Sequence, residues 1–190
     1  MEHRELIERY FPERQAEIAR YANFLVGAGI ERGLIGPREG DRIWERHIFN
    51  CLFVTTLIPE GKSVIDIGSG AGLPGIVIAL ARPDLTVTLV EPLERRVEFL
   101  KEATAGTSIE VIRGRAQDVK KGANYVTARA VAPLEKLWNI SKHMLKQEGA
   151  LLAMKGESAA AEMAPFPQAK LHEITLEGIG LGRVVEIART

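Results

Sequence analysis

The sequence predicts a doubly wound α/β fold on a mainly parallel sheet, and three observations carry that prediction. The first is Val64-Ile65-Asp66-Ile67, an apolar strand that runs into Gly68-Ser69-Gly70-Ala71-Gly72 and then, through Leu73-Pro74-Gly75, into an apolar helix reaching Leu80. Hydrophobicity without alternation, bounded by glycines, marks a strand buried on both faces, as the centre of a parallel sheet requires. The second is the alternation of strand and helix patterns from Ser63 to Met154, which is the signature of repeated βαβ units. The third is the change at the end, where 170–177 and 183–188 alternate as two strands around a glycine-rich turn, Gly178 to Gly182. An antiparallel pair closing a parallel sheet separates the S-adenosylmethionine (SAM)-dependent methyltransferase sheet from the NAD-binding one.

Composition sets the limits. At 190 residues, with 46% apolar and 26% charged, the chain is long enough for one good core and ordinary for a globular protein. Lys plus Arg and Asp plus Glu balance at 25 each, so nucleic-acid binding has to use a local patch and not bulk charge. Cys51 stands alone, which leaves no disulfide or zinc motif and fits a reducing, cytoplasmic setting. No apolar run reaches membrane-spanning length and the polar start MEHRELIERYF is no signal peptide, so no membrane is expected.

Taken in order, residues 1–58 read as a helical extension packed on the core, and 59–190 as one compact catalytic domain. Within 13–26 the apolar positions Ile18, Ala22 and Leu25 fall at helical spacing, and Gly27, Gly29, Gly33 and Gly36-Pro37 then break the pattern. A second helix is expected over 41–57, with Trp44, Ile48, Cys51, Leu52 and Thr55 on its apolar stripe. His47 beside that stripe reads as a hydrogen-bonded packing residue. Arg38, Arg42 and Arg46 step four apart along one side, a solvated face able to meet phosphate. In the domain, strands are expected at 86–90, 109–112, 125–128 and 149–154, and helices at 93–105, 134–145 and 157–164.

The glycine turn is the cofactor signal. Gly70-Ala71-Gly72-Leu73-Pro74-Gly75 satisfies the dinucleotide pattern G-x-G-x-x-G, so NAD is a real alternative. That pattern should begin directly off the strand, and here the first glycine after the strand is Gly68, with Leu73 where an NAD fold wants glycine. Asp66 just before the turn suits a cofactor carrying a cationic amino group and a sulfonium better than a pyrophosphate. SAM is favoured over NAD, and no metal is called for.

Ligands of open α/β sheets lie outside the carboxyl ends of the strands. Glu91 ends the second strand at the distance where an acid holds a ribose diol, or alternatively caps the next helix. Ala116-Gln117 follows the third strand, where adenine usually sits, and Arg129 follows the fourth, where reacting groups gather. Arg113, Arg115, Arg129, Lys155 and Arg183 fall near strand ends and together form a candidate basic rim for a phosphate backbone. The segment after the fourth strand, Arg129-Ala-Val-Ala-Pro133, lacks the Asn/Asp-Pro-Pro-aromatic turn common in amine methylation. Cys51 sits on an early helix, away from a nucleophile's place. No paired His or carboxylate presents a general base, so a ring-nitrogen lone pair is the compatible nucleophile.

The sequence resembles the small-subunit ribosomal RNA methyltransferase G family. The carrying residues are Arg46-His47-Ile48, Asp66 through Gly75, Glu91-x-x-x-Arg95-Arg96-Val97-x-Phe99-Leu100, Gly114-Arg115-Ala116, Arg129-Ala130 and Lys155-Gly156. The resemblance runs from about Arg42 to the C-terminus. It departs at Ile48-Phe49-Asn50-Cys51, where members commonly have Ile-Leu-Asp-Ser, at Gln117, where an acid is frequent, and at Arg183-Val184. It implies a Rossmann-like class I SAM-dependent methyltransferase sheet of seven strands, the last pair antiparallel, preceded by N-terminal helices. It implies methyl transfer to N7 of a guanine in 16S ribosomal RNA, with SAM contacts by Gly68, Leu73, Ala116, Gln117 and Arg129.

The expectation is therefore a monomeric SAM-dependent guanine-N7 methyltransferase whose partner is 16S ribosomal RNA or the small ribosomal subunit. Asp66, Gly68, Gly70, Leu73, Glu91, Ala116, Gln117 and Arg129 are expected at the cofactor, with Arg129 also positioning the reactants. Arg46, Arg115, Lys155 and Arg183 are expected at the RNA. A methyltransferase acting on another RNA, a protein or a small molecule is the alternative, and a non-catalytic SAM- or NAD-binding module is the reading from a different class.

Overall fold

The structure, a computed structural model, describes residues 3–156 and 159–189. Its strands are β1 (Ser63–Ile67), β2 (Thr86–Glu91), β3 (Glu110–Arg113), β4 (Ala123–Arg129), β5 (Leu145–Met154), β6 (Ala169–Leu176) and β7 (Gly180–Ala188). They form one sheet in the order β3-β2-β1-β4-β5-β7-β6. β1 pairs in parallel with β2 and β4, β2 with β3, and β4 with β5, whereas β7 runs antiparallel to both β5 and β6. The strand order reverses between β1 and β4, and a crevice opens outside the carboxyl ends of strands at such a point.

Successive side chains of a strand point to opposite faces, and the two faces carry different helices. One face buries Val64, Leu89, Leu152 and Val184 against the N-terminal segment and against α4 (Gly75–Ala81) and α5 (Glu94–Ala103). The other buries Ile65, Ile67, Val126, Leu151 and Val185 against α6 (Leu134–Ser141) and α7 (Ala159–Met163). The N-terminal segment contains α1 (His3–Tyr10), α2 (Gln15–Phe24) and α3 (Leu52–Thr55), and its Leu6, Phe11, Ile18 and Phe49 share one core with the sheet. Phe24 of α2 stacks on Phe99 of α5 with centroids 4.6 Å apart, a pairing worth about 1 kcal/mol beyond the area it buries.

Several boundaries differ from the sequence reading. The single helix expected over 41–57 is instead a 3-10 turn (Gly40–Arg42), a π-helical turn (Ile43–Ile48), a second 3-10 turn (Phe49–Cys51) and α3. Ile43 and Ile48 are both buried. They lie five residues apart, so i→i+5 winding brings them to one face where α-winding would not. The helix expected over 134–145 stops at Ser141, and β5 begins at Leu145 in place of Gly149. The added length is absorbed by a register shift between Ala123 and Tyr125 of β4, with Glu148 in the left-handed region at φ 61°. The helix expected over 157–164 is found at Ala159–Met163, and Glu157 and Ser158 lie outside the described residues. Among the described residues no helix is long and apolar enough to cross a membrane.

Asp66 requires a correction. The sequence reading puts its carboxylate against a cofactor, but the side chain is 0% exposed beneath the turn. Oδ2 accepts the Gly75 N–H at 3.2 Å and Oδ1 accepts the Thr127 hydroxyl at 3.1 Å, while Ser69 Oγ donates to the Asp66 carbonyl at 2.9 Å. The group ties β1, β4 and the start of α4 together. A Cβ at Gly75 would stand 2.2 Å from Leu89 Cδ2 and 2.8 Å from Asp66 Oδ2, so only glycine allows α4 to begin this close to the sheet.

Burial pushes the Asp66 carboxyl up to about 7, against the opposing pull of its hydrogen bonds and of Arg129. Above its ordinary value of 3.8, the folded protein keeps a proton that the unfolded chain has released. Stability should therefore fall as pH rises from about 4 through about 7, by up to roughly 4 kcal/mol. Urea unfolding across that range should show the slope in the parent protein and lose it in Asp66→Asn. Parallel curves for the two proteins would mean that the buried group is ionised throughout.

Candidate active site at the carboxyl ends of the strands

A cavity of about 1160 Å³ opens at the strand reversal. Its floor is the turn Gly68–Ala71 with Leu73, one side is Glu91 to Leu93 and Arg96, and the other is Arg129 to Val131. The N-terminal segment roofs it with Glu39, Arg42, Glu45, Arg46, His47 and Asn50, and the β6–β7 hairpin adds Ile179 from its turn and Leu181 from β7. The structure thus gathers around one space Gly68, Gly70, Leu73, Glu91 and Arg129, which the sequence reading placed at the cofactor, and Arg46, which it placed at the RNA.

The turn is held from three directions. Val90 carbonyl accepts the N–H groups of Gly68 and Ser69 at 2.8 and 3.2 Å. Glu91, 1% exposed, accepts the Gly70 N–H through Oε2 at 2.9 Å and the Leu93 N–H through Oε1 at 3.1 Å. It therefore braces the turn and the start of α5 together, and its oxygens keep further lone pairs. Tyr21 of α2 donates its hydroxyl to the Ala71 carbonyl at 2.8 Å. The sequence reading missed Tyr21, because a tyrosine on an apolar helix stripe carries no signal of a partner 50 residues away. Gly70 has φ 57°, and a Cβ there would have only the Gly68 carbonyl, at 3.8 Å, within 4 Å. Open space above a left-handed glycine, beside a buried carboxylate, is a cradle that fits a nucleoside cofactor.

The roof carries a second missed feature. His47 is hydrogen-bonded, as the sequence reading expected, but at the cavity wall and not in the packed interior. Its Nε2 lies 3.0 Å from Glu39 Oε2, and its Nδ1 accepts from Arg129 Nη2 at 3.3 Å. Arg46 donates to the other oxygen of Glu39 at 2.8 Å. Burial is the main cause that lowers the His47 pKa, aided by Arg129 and Arg46. The hydrogen bond from His47 and the nearby arginines hold Glu39 below its ordinary range. The earlier signal was the Arg46-His47 pair itself, but its partner Glu39 lies in a glycine- and proline-rich loop that sequence patterns do not place.

Other predicted residues lie elsewhere. Ala116 is buried and Gln117 exposed on a 3-10 turn (Ala116–Asp118) after β3, outside the cavity wall. Arg115 is exposed beside them, and Arg113 pairs with Glu94 at 2.6 Å. Lys155 is a correction. Its side chain is only 11% exposed and donates to the Ala132 carbonyl at 2.8 Å and to Glu162 Oε2 at 2.7 Å. That makes it a clamp on the loop after β4 and not a phosphate contact. Arg183 pairs with Glu173 at 2.9 Å across the β6–β7 hairpin, away from the cavity wall. The basic groups around the cavity are Arg42, Arg46, Arg96 and Arg129. Cys51 is fully buried, with its thiol pushed up to about 11 by that burial, and is no nucleophile. Among the described residues no group of three His, Cys, Asp or Glu could hold a metal.

A valine at position 70 would fill the cradle and would force a β-branched residue into left-handed backbone, at a cost of roughly 1–2 kcal/mol. Gly70→Val should remain folded by circular dichroism yet lose its calorimetric signal with SAM and with the demethylated product. Unchanged affinity in the folded variant would make the turn purely structural.

Comparison with known proteins agrees with this geometry. A family model for rRNA small subunit methyltransferase G matches residues 14–177. Relatives carrying the name ribosomal RNA small subunit methyltransferase G include those of Thermobifida fusca, Rhodococcus jostii and Kineococcus radiotolerans. The first is 48% identical, covering 97% of this chain and 76% of the relative. The second is 54% identical, over 81% and 71%, and the third 51% identical, over 84% and 65%. The chain thus spans about two thirds to three quarters of their length. Among solved structures, a predicted O-methyltransferase from Agrobacterium tumefaciens is similar with a TM-score of 0.57 at 18% identity, over 73% of this chain and 79% of that one. TYW2 from M. jannaschii, solved in complex with AdoMet, has a TM-score of 0.55 at 19% identity, over 75% and 74%. At such identities these structures speak for the fold alone, which is that of class I SAM-dependent methyltransferases. Nearly half-identical relatives over almost the whole chain, and a family model covering the turn, the roof and the strand ends, say more: the chain belongs to the ribosomal RNA small subunit methyltransferase G family.

Proposed function

We propose that the chain transfers a methyl group from SAM to N7 of a guanine in 16S ribosomal RNA, free or within the small subunit, in the cytoplasm. The choice of nucleophile rests on one observation: the acid–base groups around the cavity are already engaged. Glu39 accepts from Arg46 and His47, His47 uses both ring nitrogens, and Glu45 pairs with His3. Glu91 accepts two backbone N–H groups, and the Cys51 thiol is buried. A substrate that must lose a proton before attack needs a free base. Guanine N7 offers a lone pair and needs none, so orientation supplies most of the rate.

When bound, SAM supplies an electrophilic methyl group. Gly68, Gly70 and Leu73 would hold it along the turn, and Glu91 would take ribose hydroxyls on its remaining lone pairs. Ala116 and Gln117 are kept for the adenine edge, beyond the end of β3. Arg129 would orient the cofactor carboxylate or the target nucleotide with its planar fork, a geometry that lysine does not reproduce. Arg42 and Arg96 join Arg46, which the sequence reading assigned to the RNA together with Arg115, Lys155 and Arg183, as the groups kept for phosphate at the cavity. Because the cradle lies in a recess, a stacked target guanine has to be extruded to reach it.

Transcripts of 16S RNA made with 7-deazaguanosine should accept no label from tritiated SAM, whereas ordinary transcripts or subunits should. Equal labelling of the two would rule out N7. Arg129→Lys should slow methylation by at least about tenfold, roughly 1.4 kcal/mol in the barrier. A parent-like rate would leave the arginine without a part in the reaction.

A further inference from the structure

Arg129 has to hold its guanidinium still over the cavity, and a long side chain does so only if another group fixes it. The structure supplies that group. Arginine has no acceptor, so the 3.3 Å contact between its Nη2 and His47 Nδ1 requires an unprotonated Nδ1. The proton of a neutral imidazole must then sit on Nε2, facing Glu39 Oε2 at 3.0 Å. Both partners are shielded, with side-chain exposures of 17% for His47 and 26% for Glu39. The π-helical turn (Ile43–Ile48), pinned by buried Ile43 and Ile48, sets Arg46 and His47 side by side on the two oxygens of Glu39. Unusual helical winding of this kind often accompanies a functional site.

We propose that Glu39 and His47 are positioning residues that latch Arg129 over the cavity, and that protonation of His47 opens the latch. Only the neutral, Nε2–H imidazole can donate to Glu39 and accept from Arg129 at once. An imidazolium would turn an N–H toward the guanidinium and add a like charge beside it. The charged groups facing the ring are Glu39 from the loop before Gly40, Arg46 on its own turn and Arg129 from β4; the Arg129 charge also pulls down the pKa of the buried Asp66 carboxyl and Cys51 thiol. Burial, Arg129 and Arg46 lower the imidazole pKa and Glu39 raises it, with a net value below 6.5. The latch is therefore closed at neutral pH and opens in acid.

The kinetic consequence rests on the methyl transfer proposed above, but the structural one does not, and the test uses both. In the full-length protein, nitrogen NMR of the His47 ring, assigned by its absence in His47→Gln, should show the Nε2–H tautomer. Its pKa should lie below 6.5 and rise in Arg129→Met, where the neighbouring positive charge is gone. Methylation of 16S RNA should fall on the acid side of neutrality in the parent protein. His47→Leu, which can neither donate nor accept, should lose roughly tenfold in kcat at neutral pH. His47→Gln, whose amide can do both, should recover most of that loss and lack the acid-side fall. A His47 pKa indifferent to Arg129→Met, or a His47→Leu rate equal to the parent's, would overturn the latch. So would a folded His47→Gln protein as slow as His47→Leu, because the imidazole would then act as a base. A parent protein that labels no RNA would count against the proposed reaction, and the NMR result would still decide on the latch.

Discussion

The structure depends on how one glycine turn is held at the end of β1. A turn this tight leaves backbone N–H and C=O groups without regular partners, and a buried polar group left unmatched costs about 1–3 kcal/mol. Here the Val90 carbonyl and the Glu91 carboxylate of β2 and the Tyr21 hydroxyl of α2 meet those groups. Asp66 does the same from beneath, accepting the first N–H of α4. The cradle is therefore rigid before any ligand arrives, so less ordering cost falls on binding.

This arrangement gives the N-terminal segment a chemical part as well as a packing one. Its helices cover one face of the sheet, and Tyr21 and His47 extend from that cover into the turn and the cavity wall. Without the segment, the Ala71 carbonyl and the Arg129 guanidinium would each lose a partner. Packing and site geometry are thus coupled, and a substitution in the N-terminal core is felt at the cavity through these contacts.

The loop after β4 shows the same coupling from the opposite side. Ala130 lines the cavity at φ 53°, a left-handed conformation that costs a non-glycine residue roughly 1 kcal/mol. Lys155 at the end of β5 holds the next carbonyl but one, Ala132, and pairs with Glu162 of α7, which also accepts the Leu134 N–H. These bonds offset the strain and fix where Arg129 and Val131 stand. Lys155 thus acts on the site through the backbone of its neighbour and not through charge offered to solvent.

The sequence by itself determined the sheet, the strand–turn–helix unit and the antiparallel closing pair, because strand burial and glycine turns leave their marks within a few neighbouring residues. Gly68, Gly70, Leu73, Glu91 and Arg129 were legible for the same reason: each sits at a strand end that the local pattern locates. What only the tertiary structure decided is which buried or charged groups are spent on one another. Asp66 and Lys155 read as ligand-facing by position, yet each is consumed by partners from other elements. Tyr21, Glu39 and His47 read as helix or loop residues, yet they reach the turn and the cavity wall across separations of 50 residues or more, directly or through one another. Hydrogen-bond pairing across such separations depends on how layers stack, and no local period of the chain records it.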